Sequence, residues 1–224
     1  MSLQDQFGAF KAEFRSGKPP YNATAETHAI MERATAELIA TGQAGRALKA
    51  GDRAPQFSLI DQHGNIVSST ALLAQGPLVM TFDRGPWCPY CNVELQAMNE
   101  ALPAIRALGA NVVAVSPQTA PNNRKAVRIN ALDFPLLSDP RNDTAAAFGL
   151  RFTLPDYLVA LYRKLKNDLP AFNGDPSWTL PLPARYVIGR NGIVLYSEVN
   201  PDYRRRSDPT ELLPVLAKAA AVVT

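Results

Sequence analysis

The two cysteines of this chain are three residues apart, in the segment Trp87-Cys88-Pro89-Tyr90-Cys91, which follows an apolar run that ends at Phe82. Two thiols at this spacing, between a buried strand and a helix, form a reversible dithiol/disulfide pair. Proline is favoured at the first position of a helix, so we predict that the helix begins at Pro89. Cys88 then lies at the positive end of the helix dipole, which lowers the pKa of its thiol. Cys91 lies one turn further along, where it can resolve an adduct on Cys88.

The sequence gives less support to two other roles of a cysteine pair, a structural disulfide and a zinc site. A structural disulfide would close a loop so short that it constrains little chain entropy. A zinc site needs two more ligands, and the chain offers only His28, His63 and carboxylates, with no second cysteine pair and no His-x-His motif. We therefore predict a redox site and no bound metal.

The composition is typical of a compact intracellular protein. The 224 residues are 46% hydrophobic and 19% charged, and the formal net charge of +3 is too small to indicate a nucleic-acid partner. The one basic cluster, Arg204-Arg205-Arg206, is typical of a solvated loop. The sequence begins without the features of a secretory signal, and no apolar run is long enough for a membrane span. These features predict a cytoplasmic location, where a lone cysteine pair is catalytic rather than structural.

The first 47 residues differ from the rest of the chain. Leu3, Phe7, Phe10 and Phe14 recur at helical spacing, and a second apolar stripe ends near Leu38. We predict an N-terminal helical extension over residues 1–47, with helices at 2–15 and 22–44. Its expected role is to pack against the domain or against a second subunit, which would make the protein a homodimer.

Residues 48–224 alternate between strand and helix patterns, which predicts an α/β domain with a central mixed sheet covered on both faces. Asn191-Gly192 between two apolar runs predicts a hairpin at the edge of that sheet. The segment from Leu169 to Pro183 is too rich in proline for a helix interior and is expected to be a shaped loop. Strands are predicted near 56–60, 65–68, 77–83, 111–116, 135–138, 184–189 and 193–199, and helices near 89–108, 121–131, 142–148, 156–167 and 208–222.

Four segments together resemble the thioredoxin superfamily. They are the stretch from Gly51 to Leu59, the strand that leads into Trp-Cys-Pro-Tyr-Cys, the run Val112-Val-Ala-Val-Ser, and the stretch from Pro183 to Gly192. More narrowly, residues 48–220 resemble the alkyl hydroperoxide reductase/thiol-specific antioxidant family, in a peroxiredoxin-like branch with a Cys-x-x-Cys centre. The resemblance implies a thioredoxin-like, peroxiredoxin-type fold.

The resemblance also implies roles for individual residues. Cys88 would be the attacking thiolate, Cys91 the resolving thiol, and Pro183 the cis-proline that lies beside the disulfide in thioredoxin folds. The implied oxidant is a hydroperoxide or a disulfide, and the implied reductant is an external thiol, such as a thioredoxin or glutathione, with no bound cofactor.

This chain departs from the peroxiredoxin pattern at three positions. Gly85 stands where the family has a Thr or Ser, Thr81 stands where it has a proline, and Pro183 stands where it has the arginine that orients peroxide. Arg84 or Arg185 would have to replace that arginine, because a guanidinium can stabilise charge on the departing oxygen. We prefer Arg84, because it is closer to Cys88 in sequence.

The remaining candidates flank the cysteines. Asp83 ends the strand that leads into the site and would serve as the proton shuttle, unless strand alternation points it to solvent. Trp87 and Tyr90, on either side of the Cys88-Pro89 pair, are expected to form an apolar contact surface for a partner thiol protein. Together with Pro89, Pro183 and Arg185, these residues are the expected substrate-binding set.

Three functions fit these features. The extent of the resemblance favours a thiol-dependent peroxidase, an antioxidant oxidoreductase. Gly85 and Pro183 favour a thioredoxin-like disulfide reductase instead. The third is a non-enzymatic module whose surface changes with the redox state of the cysteine pair.

Overall fold

The computed structural model describes residues 3–19 and 21–221, and its centre is a mixed sheet of seven strands. The strands in that sheet lie in the order β2-β1-β5-β4-β3-β8-β9, and β6 and β7 form a separate two-stranded sheet. The strands are β1 (Ser58–Ile60), β2 (Ile66–Ser68), β3 (Leu78–Phe82), β4 (Asn111–Ser116), β5 (Leu136–Ser138), β6 (Arg151–Thr153), β7 (Thr179–Pro181), β8 (Ala184–Ile188) and β9 (Val194–Val199).

Helices cover both faces of the seven-stranded sheet. They are α1 (Leu3–Arg15), α2 (Ala25–Ala40), α3 (Ser69–Gln75), α4 (Pro89–Ala107), α5 (Ala120–Asn130), α6 (Asp143–Ala147), α7 (Asp156–Lys164), α8 (Leu169–Asn173) and α9 (Leu213–Ala221). Among the described residues, no helix is both long and apolar enough to cross a membrane.

All five residues of the central strand β3 are buried, and its two neighbouring strands run in opposite directions. It pairs in parallel with β4 and antiparallel with β8, and Thr81 faces Ala114 on one side and Arg185 on the other. Side chains alternate along a strand, so β3 contributes to two cores. Met80 and Phe82 join the core that contains Phe148 and Tyr186, whereas Val79 joins the core beneath α4, with Leu95 and Met98.

The N-terminal helices pack on the rest of the same chain. Leu3 and Phe7 of α1 are buried in one cluster with Cys88, which precedes α4, and with Tyr90 and Cys91 of α4. Helix α2 begins after Thr24, whose side chain accepts a hydrogen bond from the Thr27 backbone, and it packs beside α7. Tyr157 of α7 donates a hydrogen bond to Glu37 at 2.5 Å. The expected burial of the apolar face of the extension therefore occurs on the protein's own domain.

Each of the seven strands predicted from the sequence is present in the large sheet, and the Asn191-Gly192 hairpin joins β8 to β9 at its edge. The prediction for Leu169–Pro183 was wrong, because this segment contains α8 and β7 as well as loop. Helix α3 and strand β6 were also missed. These four elements have three to seven residues each, too few for a periodic pattern to emerge. Residues 2 and 222, at the ends of two predicted helices, lie outside the described residues.

Candidate active site

Cys88 is the residue that immediately precedes α4, and Pro89 occupies the first turn, as the sequence predicts. Both cysteines are free thiols, and both are buried, with Cys88 2% and Cys91 1% exposed. The Cys91 backbone N–H donates a hydrogen bond to the Cys88 carbonyl at 3.0 Å, which places the two residues on the same first turn. The pair therefore stands at the positive end of a 19-residue helix.

The two thiols differ in acidity. Burial by itself raises the pKa of Cys88, but the hydrogen bond from the Cys91 thiol and the charge of Arg84 outweigh it and lower this pKa to about 6. Burial raises the pKa of Cys91 well above its usual range, and the neighbouring Cys88 sulfur raises it further. Cys88 is therefore the thiolate at neutral pH, and Cys91 is the protonated thiol.

Arg84 is the cation beside the nucleophile. Its Nη2 donates a hydrogen bond to the Cys88 sulfur at 3.0 Å, and the residue is only 4% exposed. Its guanidinium lies over the Tyr203 ring at 4.2 Å and near the Trp87 ring at 5.5 Å. Arg84, the arginine preferred from the sequence, therefore holds its guanidinium at the Cys88 sulfur.

Asp83 is buried, with 3% of its surface exposed, so it does not point to solvent. It continues the alternation of Val79 and Thr81, which places it on the face of β3 that α4 covers. Burial raises the pKa of Asp83 well above its usual range, and the adjacent Cys91 and Glu94 raise it further. A carboxyl group with this environment can exchange a proton with Cys91.

A buried ion network lies beneath the cysteines, and the sequence did not point to it. Glu94 of α4 accepts hydrogen bonds from Arg185 at 3.0 Å and from Arg206 at 2.7 Å, and all three residues are at most 4% exposed in their side chains. Thr81 donates to the same carboxylate at 3.3 Å. Arg185 also donates to the Ser207 carbonyl, so its guanidinium is held in the network.

Arg185 is 1% exposed and binds Glu94, whereas Arg84 is the arginine that contacts the Cys88 sulfur. One expectation is corrected by this network. The basic cluster at 204–206 is not a solvated loop throughout, because Arg206 is 3% exposed. Its burial is stabilised by the paired carboxylate of Glu94, without which a buried guanidinium would be costly.

The backbone conformation at Gly85 disfavours the Thr or Ser that the family has at this position. Gly85 has a φ of +125°, a conformation that side-chain-bearing residues rarely adopt. A Cβ built there would lie 1.9 Å from Gln118 Nε2 and 2.7 Å from Trp87 Nε1. The Gln118 side chain, 1% exposed, fills the space that a Thr or Ser would occupy.

The N-terminal helix covers the aromatic side of the site. The Tyr90 ring contacts Phe7, Phe10 and Tyr203, with ring centroids 5.4, 4.9 and 5.5 Å apart. Tyr90 is 6% exposed, so it is not part of an open surface for a partner protein, contrary to the expectation. Trp87 is half-buried and packs edge-on against Tyr162.

Two cavities meet at Arg84. One, of about 300 Å³, reaches Cys88 and is lined by Trp87, Pro89 and Tyr90 together with residues of both N-terminal helices. The other, of about 210 Å³, is lined by Pro183 and by residues of α2 and α7. Within residues 3–19 and 21–221, no group of three or more His, Cys, Asp or Glu side chains is placed to hold a metal ion.

A sequence profile of the AhpC/TSA family matches residues 50–197. The chain belongs to this family. It is 31% identical over 103 residues to Peroxiredoxin Bcp of Escherichia coli, an alignment that covers 46% of this chain and 65% of that protein. It is 28% identical over 146 residues to chloroplastic Peroxiredoxin Q of rice, covering 65% of this chain and 57% of that protein.

A solved peroxidoxin structure shares this fold. The crystal structure of Peroxidoxin BcpB from Mycobacterium tuberculosis superposes with a TM-score of 0.61 and 23% identity, covering 78% of this chain and 98% of that one. The expected thioredoxin-like, peroxiredoxin-type fold is therefore confirmed. The profile ends before Arg206 and begins after both N-terminal helices, so the buried network and the aromatic cover include residues outside the family match.

Proposed function

We propose that this protein is a thiol-dependent peroxidase that reduces hydroperoxides through a dithiol/disulfide cycle of Cys88 and Cys91. One observation carries the proposal: a thiolate with a pKa of about 6 accepts a hydrogen bond from a buried guanidinium, beside a second, protonated thiol. Membership of a family whose relatives are named peroxiredoxins supports the same reaction.

In the first step, the Cys88 thiolate attacks one peroxide oxygen and the O–O bond breaks. The other oxygen leaves as alkoxide or hydroxide, takes a proton from water and departs as alcohol or water, while Cys88 becomes a sulfenic acid. Arg84, whose Nη2 is 3.0 Å from the Cys88 sulfur, is the group proposed to donate a hydrogen bond to the departing oxygen and to stabilise the charge that develops there.

In the second step, the Cys91 sulfur attacks the Cys88 sulfenic acid. An S–S bond forms, the S–O bond breaks, and the hydroxyl group leaves as water with the proton that Cys91 gives up. Asp83, next to Cys91, is the group proposed to relay that proton: its protonated carboxyl gives a proton to the leaving hydroxyl and takes the one that Cys91 gives up.

The cycle closes when two external thiols reduce the Cys88–Cys91 disulfide and are oxidised to one disulfide. The proposed reductant is a thiol such as a thioredoxin or glutathione, and no bound cofactor is needed. The homodimer and the cytoplasmic location predicted from the sequence stay predictions, of which the first is checked by light scattering of the purified protein.

A disulfide reductase is the second candidate, and Gly85 favours it. A glycine has no hydroxyl to polarise a peroxide, so one of the donors that a peroxidase uses is absent at this position. The loss of such a donor costs about 2.7–4 kcal/mol of transition-state stabilisation in other enzymes. The Cys-x-x-Cys chemistry itself would serve either oxidant.

The two candidates are separated by the oxidation rate of the reduced protein. We expect hydrogen peroxide or cumene hydroperoxide to oxidise Cys88 at least a hundredfold faster than free cysteine, followed in rapid quenching by a disulfide to Cys91. Cys88→Ser abolishes the reaction, and Cys91→Ser stops it at the sulfenic acid. Oxidation no faster than that of free cysteine, with ready reduction of insulin disulfides, would replace the peroxidase by the disulfide reductase.

A further inference from the structure

The reactive sulfur is reached through a cavity rather than across an open surface. Cys88 is 2% exposed, and α1 lies over it through Leu3 and Phe7, which are 1% and 2% exposed. A thiol–disulfide exchange needs the attacking sulfur in line with the S–S bond. While α1 is in place, a cysteine on the surface of a folded protein cannot reach that position.

The cavity beside Cys88 is large enough for a small molecule. Its volume of about 300 Å³ is at the lower end of the range, about 300–1,000 Å³, of ligand pockets. Its walls include the aromatic rings of Phe10, Trp87 and Tyr90, and sulfur makes favourable contacts with aromatic rings. Within the described residues, Trp87 Nε1 and His28 Nε2 are buried without a hydrogen-bond partner and line this cavity.

The charges that line the cavity favour an anion. Arg15 and Arg204 are neutralised by Glu32 and Asp202. Lys11 and Arg84 make no ion pair with a carboxylate among the residues that the structure describes. Lys11 is half-buried in the cavity wall, and Arg84 lies at the sulfur end.

The charge balance also changes with the redox state. In the dithiol form the Cys88 thiolate is the counter-ion of Arg84, with 3.0 Å between Sγ and Nη2. In the disulfide form that negative charge is lost, and the guanidinium, 4% exposed, is left buried without a counter-ion. A buried unpaired charge is unfavourable, so the oxidised protein has the stronger requirement for an anion at this position.

We propose that this cavity binds a low-molecular-weight thiol that carries carboxylates, and that such a thiol, rather than a protein, reduces the Cys88–Cys91 disulfide. The inference rests on the disulfide cycle of the proposed function. The bound thiolate attacks the Cys88 sulfur, the S–S bond breaks, and Cys91 leaves as a thiolate that takes a proton. A second molecule then attacks the outer sulfur of the mixed disulfide, releasing the Cys88 thiolate to Arg84 and forming the small-molecule disulfide.

Binding is tested on the full-length protein with S-methylglutathione, an acidic tripeptide whose sulfur cannot react. The disulfide form is prepared with diamide, so that no peroxide is used, and titrations are followed by calorimetry. We expect Kd to be at least tenfold lower for the disulfide form than for the dithiol form. Lys11→Glu should raise Kd of the disulfide form at least tenfold, whereas Lys18→Glu, the same charge change at an exposed lysine, should leave it unchanged.

Reduction is tested by mixing the same disulfide form with glutathione, with its ethyl ester, or with reduced thioredoxin. We expect a rate that saturates with glutathione and falls at least fivefold with the ester. Equal binding of S-methylglutathione to both redox forms, or faster reduction by thioredoxin than by saturating glutathione, would overturn the inference. If these results hold but peroxide does not oxidise Cys88 rapidly, the peroxidase proposal fails and the cavity assignment remains.

Discussion

The Cys88 sulfur and the Arg84 guanidinium form a charge-assisted contact of 3.0 Å inside the protein. Hydrogen bonds to charged groups contribute about 1.5–3 kcal/mol, which corresponds to about one to two pKa units. Because the guanidinium stabilises only the thiolate, its removal must raise the pKa of Cys88. Arg84, together with the Cys91 thiol, therefore keeps the nucleophile reactive at neutral pH.

We predict that Arg84→Ala raises the midpoint of the pH dependence of Cys88 alkylation from about 6 by at least one unit. Iodoacetamide labelling against pH, with peptide mapping by mass spectrometry, measures it. Arg205→Ala removes an exposed arginine of the neighbouring loop and should leave the midpoint in place. An unchanged midpoint in Arg84→Ala would mean that the helix dipole and Cys91 suffice.

Asp83 provides the second prediction at this scale, because its burial is costly to the folded protein. The pKa of this carboxyl is raised by burial, so between its unfolded and folded pKa values the folded state holds a proton that the unfolded state has released. The stability of the wild type therefore falls as pH rises through that window. Asp83→Asn removes the dependence.

We expect Asp83→Asn to raise the Tm at pH 7 relative to the wild type, and the difference to shrink toward pH 4. The same variant should slow closure of the disulfide from the Cys88 sulfenic acid about a hundredfold, because an asparagine cannot relay the proton from Cys91 to the leaving hydroxyl, while the first oxidation step is retained. Thermal melts and quenched-flow mass spectrometry measure the two effects. Rapid closure in Asp83→Asn would show that water accepts the proton.

At the scale of the elements, the Glu94 carboxylate of α4 forms ion pairs that connect this helix to β8 and to the loop before α9. Glu94 holds Arg185 of β8 and Arg206 of that loop, with all three side chains buried. Removing one member of such a network leaves a buried charge without compensation, which costs about 3–5 kcal/mol. Chemical denaturation of Glu94→Gln should show a loss of this size. Glu211→Gln, at an exposed carboxylate, should change the free energy of unfolding by less than about 0.5 kcal/mol.

The helices and strands also show which parts of the fold can be predicted from the sequence. Each long strand and helix had a period or a boundary residue that identified it, such as Pro89 at the start of α4. The short β6 and β7 pair with each other across 28 residues of chain, and their pairing depends on tertiary packing rather than on local pattern. The positions of Cys88, Cys91 and Arg84 followed from spacing along one segment.

Glu94 and Arg206, by contrast, are 112 residues apart in the chain and meet only because the sheet brings α4 beside the C-terminal loop. A lone glutamate on a helix and an arginine in a basic run carry no local signal of burial. The spacing of Phe7 and Phe10 predicted a buried helix face, but their contact with Tyr90 joins distant parts of the chain and had no local signal.

At the scale of the whole molecule, the N-terminal helices pack on the thioredoxin-like domain and cover its nucleophile, Cys88. Phe7 is 2% exposed and contacts Tyr90 next to Cys88. Replacing a buried phenylalanine with alanine costs about 3–5 kcal/mol. Because α1 is a terminal element, part of that cost should appear as local undocking rather than as global unfolding.

We therefore predict that Phe7→Ala accelerates the reaction of Cys88 with a polyethylene glycol maleimide at least tenfold, with a smaller change for iodoacetamide, which is small enough for the cavity. Phe57→Ala is the matched control: Phe57, 7% exposed, lies in the core on the other face of the sheet, so its loss destabilises the protein without uncovering the sulfur. Hydrogen exchange should show faster exchange in α1 for Phe7→Ala only. Equal acceleration in both variants would mean that the large reagent reaches Cys88 through global unfolding, and α1 would then not be the element that restricts access.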